Sequence, residues 1–313
     1  MKKQATIARM TYSKPLLATL ALSSLALTSC STAEAKSCAP SEMTIEAMQD
    51  AKSAEFDALT PDARTDMASA LIGCLGDPDP TIRDGLAYEG LTQIFRGGDL
   101  DADQIRPLRD QLLEDIGSDD PDGFTRPFAA LVLAEVSRTD RVSPWMSDTE
   151  RVDLVSSAGQ YLRSVDDYRG YSDTEGWRHG VAHSADWLMQ LSLNPALTQD
   201  QRGEILGAVR SQVAATNGHA YIHGEPGRLA RPVLFVAMAG EQTAEDWTEW
   251  LAPLIDPAPL ESWGDAFSSE AELARLHNVK AFLQELFINA SVSSNDNLKL
   301  MLAPVTDAMR ALP

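Results

Sequence analysis

Apolar residues recur with helical spacing through nearly every segment beyond residue 42, and no segment alternates as a strand does. That pattern confines the chain to helix packed on helix. Thr60-Pro61 is a cap followed by proline at the first helical position, and the predicted helix runs to Leu75 with Met67, Leu71, Cys74 and Leu75 as its apolar stripe. Gly76-Asp77-Pro78-Asp79-Pro80 ends it and opens the next, which Gly97-Gly98 stops. Ser41 to Phe56, Asp103 to Ile116, Thr125 to Arg138, Ser147 to Val165, Thr198 to Val213, Pro226 to Met238, Ala244 to Ile255, Ser269 to Ala290 and Asn295 to Leu312 continue the pattern. About a dozen helices joined by short turns predict an all-α fold, an α-solenoid or HEAT-like helical-repeat array. A single such domain is expected over residues 43–313.

The first 29 residues read as an export signal. Lys2, Lys3, Arg9 and Lys14 make a basic start, and Leu16 to Leu27 is an apolar run too short to span a bilayer. Leu27-Thr28-Ser29-Cys30 resembles the bacterial lipobox, with Cys30 as the lipidated residue and residues 30–42 as a flexible tether. The location this implies is the bacterial cell envelope, lipid-anchored and facing the periplasm or exterior. The alternative is cleavage after Ala35 in Ala33-Glu34-Ala35, which would release a secreted soluble protein. The net charge of −20 argues against nucleic acid and anionic lipid as partners, leaving a lipid anchor as the route to the membrane. Cys38 and Cys74 are candidates for a disulfide in an oxidising compartment, although Cys74 also fits as a small buried apolar residue.

Glu175 to Gln190 carries the most informative chemistry. Drawn as one helix, it gathers His179, His183, Asp186 and Gln190 within a sector of roughly 60°. Trp177, Val181, Leu188 and Ser192 fall opposite, and Trp187 and Met189 border the polar stripe. A solvated stripe is normally bordered by charged residues, so these borders predict a walled polar pocket. Glu225, Arg228 and His277 are expected to share it. Histidines four apart on a helix can hold one metal, whereas Asp186, seven residues on, lies about 10.5 Å along the axis. His179, His183 and His223 are the candidate metal set, with His219 and Glu225 in the same loop region. The bland reading is that these groups satisfy one another between helices. No His-Glu-x-x-His motif, nucleophile elbow, phosphate loop or dinucleotide fingerprint is present. No cofactor is therefore expected, with zinc the exception if the metal reading holds.

Asp79-Pro80-Thr81-Ile82-Arg83 resembles the Asp-x-x-(Val/Ile)-Arg of HEAT-type repeats, in which the Asp caps a helix and the Arg reaches a neighbouring repeat. Leu75 to Asp84, Gly176 to Asp186 and Glu225 to Ala230 together resemble landmarks of the domain-of-unknown-function family DUF2785 across roughly residues 45–300. That resemblance implies an all-helical, repeat-like fold and brings no established activity. Glu225-Pro226-Gly227 departs from the more acidic segment such a resemblance implies. The reading that follows is a binding or scaffold lipoprotein whose partner is a protein, peptide or small molecule. The alternative is a zinc-type hydrolase using His179 and His183.

Overall fold

The computed structural model describes Cys38 and residues 43–313; the proposed signal, the lipid site at Cys30 and the rest of the proposed tether lie outside the described residues. The helices form where local signals place them. Helix α1 is Ile45–Ser53, capped by Thr44, and α2 is Pro61–Ile72, capped by Thr60. Asp79 caps α3, Pro80–Ile82, which passes directly into a π-helical turn, Arg83–Tyr88, and then α4, Glu89–Gly97. α5 is Ala102–Gly117, α6 Thr125–Val142 and α7 Asp148–Ser164. A two-stranded hairpin, β1 Tyr171–Ser172 and β2 Gly176–Trp177, precedes α8, Gly180–Ser192. α9 is Gln199–Ser211, α10 Glu225–Ala239 and α11 Ala244–Ile255. A 3-10 turn, Trp263–Ser268, leads to α12, Glu270–Val292, then α13, Asp296–Lys299, and α14, Leu302–Arg310. Reciprocal caps pair Asp101 with Gln104, Ser147 with Glu150 and Thr198 with Gln201, each satisfying free N–H groups at a helix start.

The array has two rows. α4, α6, α8, α10 and α12 pack side by side in that order, while α5 packs on α6, α7 on α8, and α9 on both α7 and α10. α8 is the centre of the inner row and is buried on nearly every face. Its Trp187 is fully enclosed and donates from Nε1 to Ser137 Oγ of α6 at 3.1 Å. Cys38 and Cys74 form a disulfide, and Cys74 is at the same time completely buried. The fold is an all-α helical array, as the periodicity requires. No described helix is long and apolar enough to cross a membrane.

The Glu175–Gln190 segment departs from the expected single helix. Its first part is the hairpin, and helix begins only at Gly180. Gly176 (φ 72°) and His179 (φ 57°) both adopt left-handed backbone. The N–H groups of Arg178 and His179 donate to the carbonyls of Gly170 and Arg169, at 2.9 and 3.1 Å. Those bonds to the residues just before β1 replace the helical ladder. His179 thus caps α8, and its own carbonyl accepts the first helical bond from His183 at 3.0 Å.

Candidate functional site

A cleft of about 420 Å³ opens on the inner row. Asp84, Tyr88 and Glu89 reach it from the π turn and α4, Phe128 and Leu131 from α6, and Trp177 and His179 from the hairpin and its end. α8 contributes His183 and Asp186; the loop before α10 contributes His223, and α10 itself Arg228. Five rings follow one another around it. Tyr88 lies 6.4 Å from Phe128, Phe128 5.0 Å from His183, His183 5.7 Å from His179, and His179 4.6 Å from Trp177, all between centroids. The last pair is stacked, with planes 21° apart.

The polar groups are deeply set. His179, His183 and Asp186 are each 6 % exposed and Glu225 2 %. Burial, reinforced by Arg228 and His223, lowers the His179 pKa to about 4. Burial, with His179 and Arg228 adding to it, holds His183 well below the ordinary histidine value. Both imidazoles are therefore neutral at pH 7. Asp186 hydrogen-bonds Arg228 and faces Arg231 at 3.6 Å. Burial raises its pKa even so, outweighing the two guanidinium groups that oppose it. Burial also raises Asp84, against the opposing pull of Arg83.

Glu225 stands at the first position of α10, after Gly224, whose φ of 88° only glycine adopts readily. Its Oε2 accepts the His223 main-chain N–H at 2.9 Å. Its Oε1 lies 3.7 Å from His179 Nε2 and 3.8 Å from His223 Nδ1. The His223 ring occupies the space in front of Gly170, where a Cβ would sit 2.1 Å from Nδ1. Buried His179 Nε2, His183 Nδ1, His223 Nδ1 and Asp186 Oδ1 have no hydrogen-bond partner among the described residues. Four such atoms at one place are unusual, because buried polar groups are normally paired.

The structure thus brings His179, His183, Asp186, His223, Glu225 and Arg228 together. It does not bring in His277, which is exposed on α12, while its neighbour Asn278 turns inward to bond Tyr221 N and His219 O. His219 stacks on Tyr168 away from the cleft. Among the described residues, no three His, Cys, Asp or Glu side chains are placed to enclose a metal ion. Asp84, Tyr88 and Phe128 were not foreseen as site residues, since they enter only through packing of distant elements. Trp177, expected opposite the stripe, joins the wall because it sits on a hairpin and not on a helix.

Fold and site together define an all-α helical array with neutral, buried histidines along a cleft in its inner row. The chain belongs to the family described as "Protein of unknown function (DUF2785)", which matches residues 112–288, more than half of its length. The match is narrower than the span expected from the landmarks. It includes every histidine of the cleft and leaves Asp84 and Tyr88 outside. No curated protein matches the chain, and no solved structure does.

Proposed function

We propose that this chain is a non-catalytic binding protein of the cell envelope, carried there by a lipid on Cys30, whose inner-row cleft receives a small ligand or a peptide side chain. The observation that carries this reading is the ring arc from Tyr88 to Trp177 set beside four buried polar atoms without partners among the described residues. Such a lining offers flat apolar faces and a few convergent polar groups, the usual make-up of a small-molecule site. Neutral imidazoles can accept or donate hydrogen bonds there without imposing a charge. A thermal-shift survey of amino acids, sugars, organic cations and short peptides tests the reading. A ligand of this cleft raises the Tm of the wild type and loses that effect in Arg228→Ala and Trp177→Ala. Shifts that persist in both variants would place the binding elsewhere and end the proposal.

A second reading is a metal-assisted hydrolase. It draws support from His179 Nε2 and His223 Nδ1, both within 4.0 Å of Glu225 Oε1 and both without hydrogen-bond partners among the described residues. These two nitrogens with the carboxylate have the ligand chemistry of zinc, which would supply an activated water when bound. The residues of this reading are the His179 and His183 pair with His223, and Glu225 beside them; among the described residues they do not enclose a metal ion as they stand, so side chains would have to turn to hold one. One equivalent of zinc in the purified protein, lost in the His179→Ala, His183→Ala double variant, would favour the hydrolase over the binding protein.

A further inference from the structure

A second cleft, of about 390 Å³, lies where the end of α4, the start of α5 and the end of α6 meet, and shares no lining residue with the first. Phe95, Leu100, Ile105, Val142 and Trp145 make the apolar part of its wall, and Arg96, Asp101, Arg138, Thr139 and Ser143 the polar part. Phe95 and Ile105 are buried at its base, whereas Val142 is 61 % exposed. An aliphatic side chain that open beside a cavity of this size leaves apolar surface for something else to cover.

The charges beside it are unusual for so acidic a chain. With 46 acidic against 26 basic side chains, most described arginines pair with a carboxylate. Arg96 at the rim follows that rule, gripping Glu135 through Nε at 2.8 Å. Arg138 lines the cleft, is half-buried, and has no ion pair or hydrogen bond among the described residues. Arg141, one turn further along α6, meets only Gln190 Oε1 at 3.3 Å, and its buried Nε has no partner. Burial and then the neighbouring Arg138 hold its pKa down, against the opposing pull of Glu135, a carboxylate already gripped by Arg96. The one carboxylate in the lining, Asp101, is exposed and spends Oδ1 on the N–H groups of Asp103 and Gln104 at the start of α5. Arg138 is thus a half-buried cation at the edge of an apolar cavity with no counter-anion among the described residues, while Arg141 is not part of the lining.

We infer that this cleft binds a long-chain carboxylate, its alkyl chain between Val142, Leu100 and Trp145 and its carboxylate on Arg138. A guanidinium fork matches a carboxylate in shape as well as charge. The inference is independent of the histidine cleft and survives if that reading fails.

Trp145 makes the test direct. The full-length chain is titrated with dodecanoate, dodecyltrimethylammonium and dodecyl maltoside below their micelle concentrations, following tryptophan fluorescence. Trp145→Phe identifies the signal. Dodecanoate is expected to bind roughly tenfold or more tightly than the other two. Arg138→Gln is expected to remove that preference, and His183→Ala to leave it intact. The circular-dichroism melt of Arg138→Gln should match the wild type, since Arg138 makes no bond whose loss would unfold the protein. Equal binding of all three amphiphiles would show an apolar groove only and overturn the assignment. Absence of dodecanoate binding, or a preference that survives Arg138→Gln, would overturn it as well.

Discussion

Arg83 donates from Nη2 to the main-chain oxygen of Glu175, 92 residues further along the chain, at 2.8 Å. The same guanidinium is fully buried, lies over the Phe124 ring at 4.1 Å, and also bonds Asp84 Oδ1 and the Asp77 carbonyl at 2.8 and 3.0 Å. It therefore ties the π turn that presents Asp84 and Tyr88 to the hairpin that presents Trp177 and His179. The arginine of the Asp79-to-Arg83 motif thus reaches a distant hairpin and not the neighbouring helical repeat that the motif implied.

Replacing Arg83 with Met removes the cation but leaves its buried acceptors without donors. The expected loss is about 3–5 kcal/mol of unfolding free energy, measured by urea denaturation. The hairpin should also become a preferred site of proteolysis, because its Arg83 link to the π turn is gone. A loss under about 1 kcal/mol would mean that water replaces the guanidinium readily.

Stability should fall as the solution is acidified from pH 7.5 to 5.5. The folded pKa of His179 is depressed to about 4, and that of His183 also lies well below 6.5. Between the unfolded and folded values only the unfolded chain takes up protons, so stability is full above 6.5 and is lost as pH falls toward 4. By pH 5.5 each imidazole accounts for roughly 1.4 kcal/mol. A double variant, His179→Asn and His183→Asn, should flatten that part of the profile. If the wild-type urea midpoint is the same at both pH values, the histidines are not buried in neutral form.

Asp140 is 1 % exposed and accepts from Trp145 N, Met146 N, Arg151 and Asn194 Nδ2. Burial alone would raise its pKa, but the Arg151 hydrogen bond and the others bring it below the usual carboxylate range. Its contribution is therefore present above the unfolded value and lost as pH falls through the folded one. Asp140→Ala, which strands Arg151, is expected to cost about 3–5 kcal/mol at pH 7, read from calorimetric Tm together with urea midpoints.

Gly170→Ala is a small change with a defined target. The new Cβ would overlap the His223 ring, so the ring has to move or the hairpin has to open. About 1–3 kcal/mol of destabilisation is expected, with a shifted His223 resonance in NMR spectra. An unchanged His223 environment would contradict the close packing of ring on backbone.

Cys30→Ala is expected to move the protein from the membrane fraction to the soluble fraction. A wild-type protein already soluble and beginning at Lys36 would replace the lipid anchor with ordinary export.

Much of this molecule could be read along the chain because the responsible forces act locally. Thr60, Asp101, Ser147 and Thr198 bond groups two or three residues away, so helix starts are written in short stretches. The His183 and Asp186 stripe was visible for the same reason, since both truly lie on α8. Tertiary structure decided the rest. Carbonyls of Arg169 and Gly170 capture the N–H groups of His179 and Arg178, hold off the start of α8 until Gly180 and set Trp177 in the cleft wall. His277 and Asn278 are adjacent on α12, yet only the asparagine faces inward, because Tyr221 and His219 offer it partners. Helical period assigns a face to within about one residue, and the final choice rests with groups that other helices bring near. Asp84, Tyr88 and Phe128 reach the histidines by that route alone, through packing of elements roughly half a hundred to a hundred residues apart in a chain whose local signals say nothing about distance.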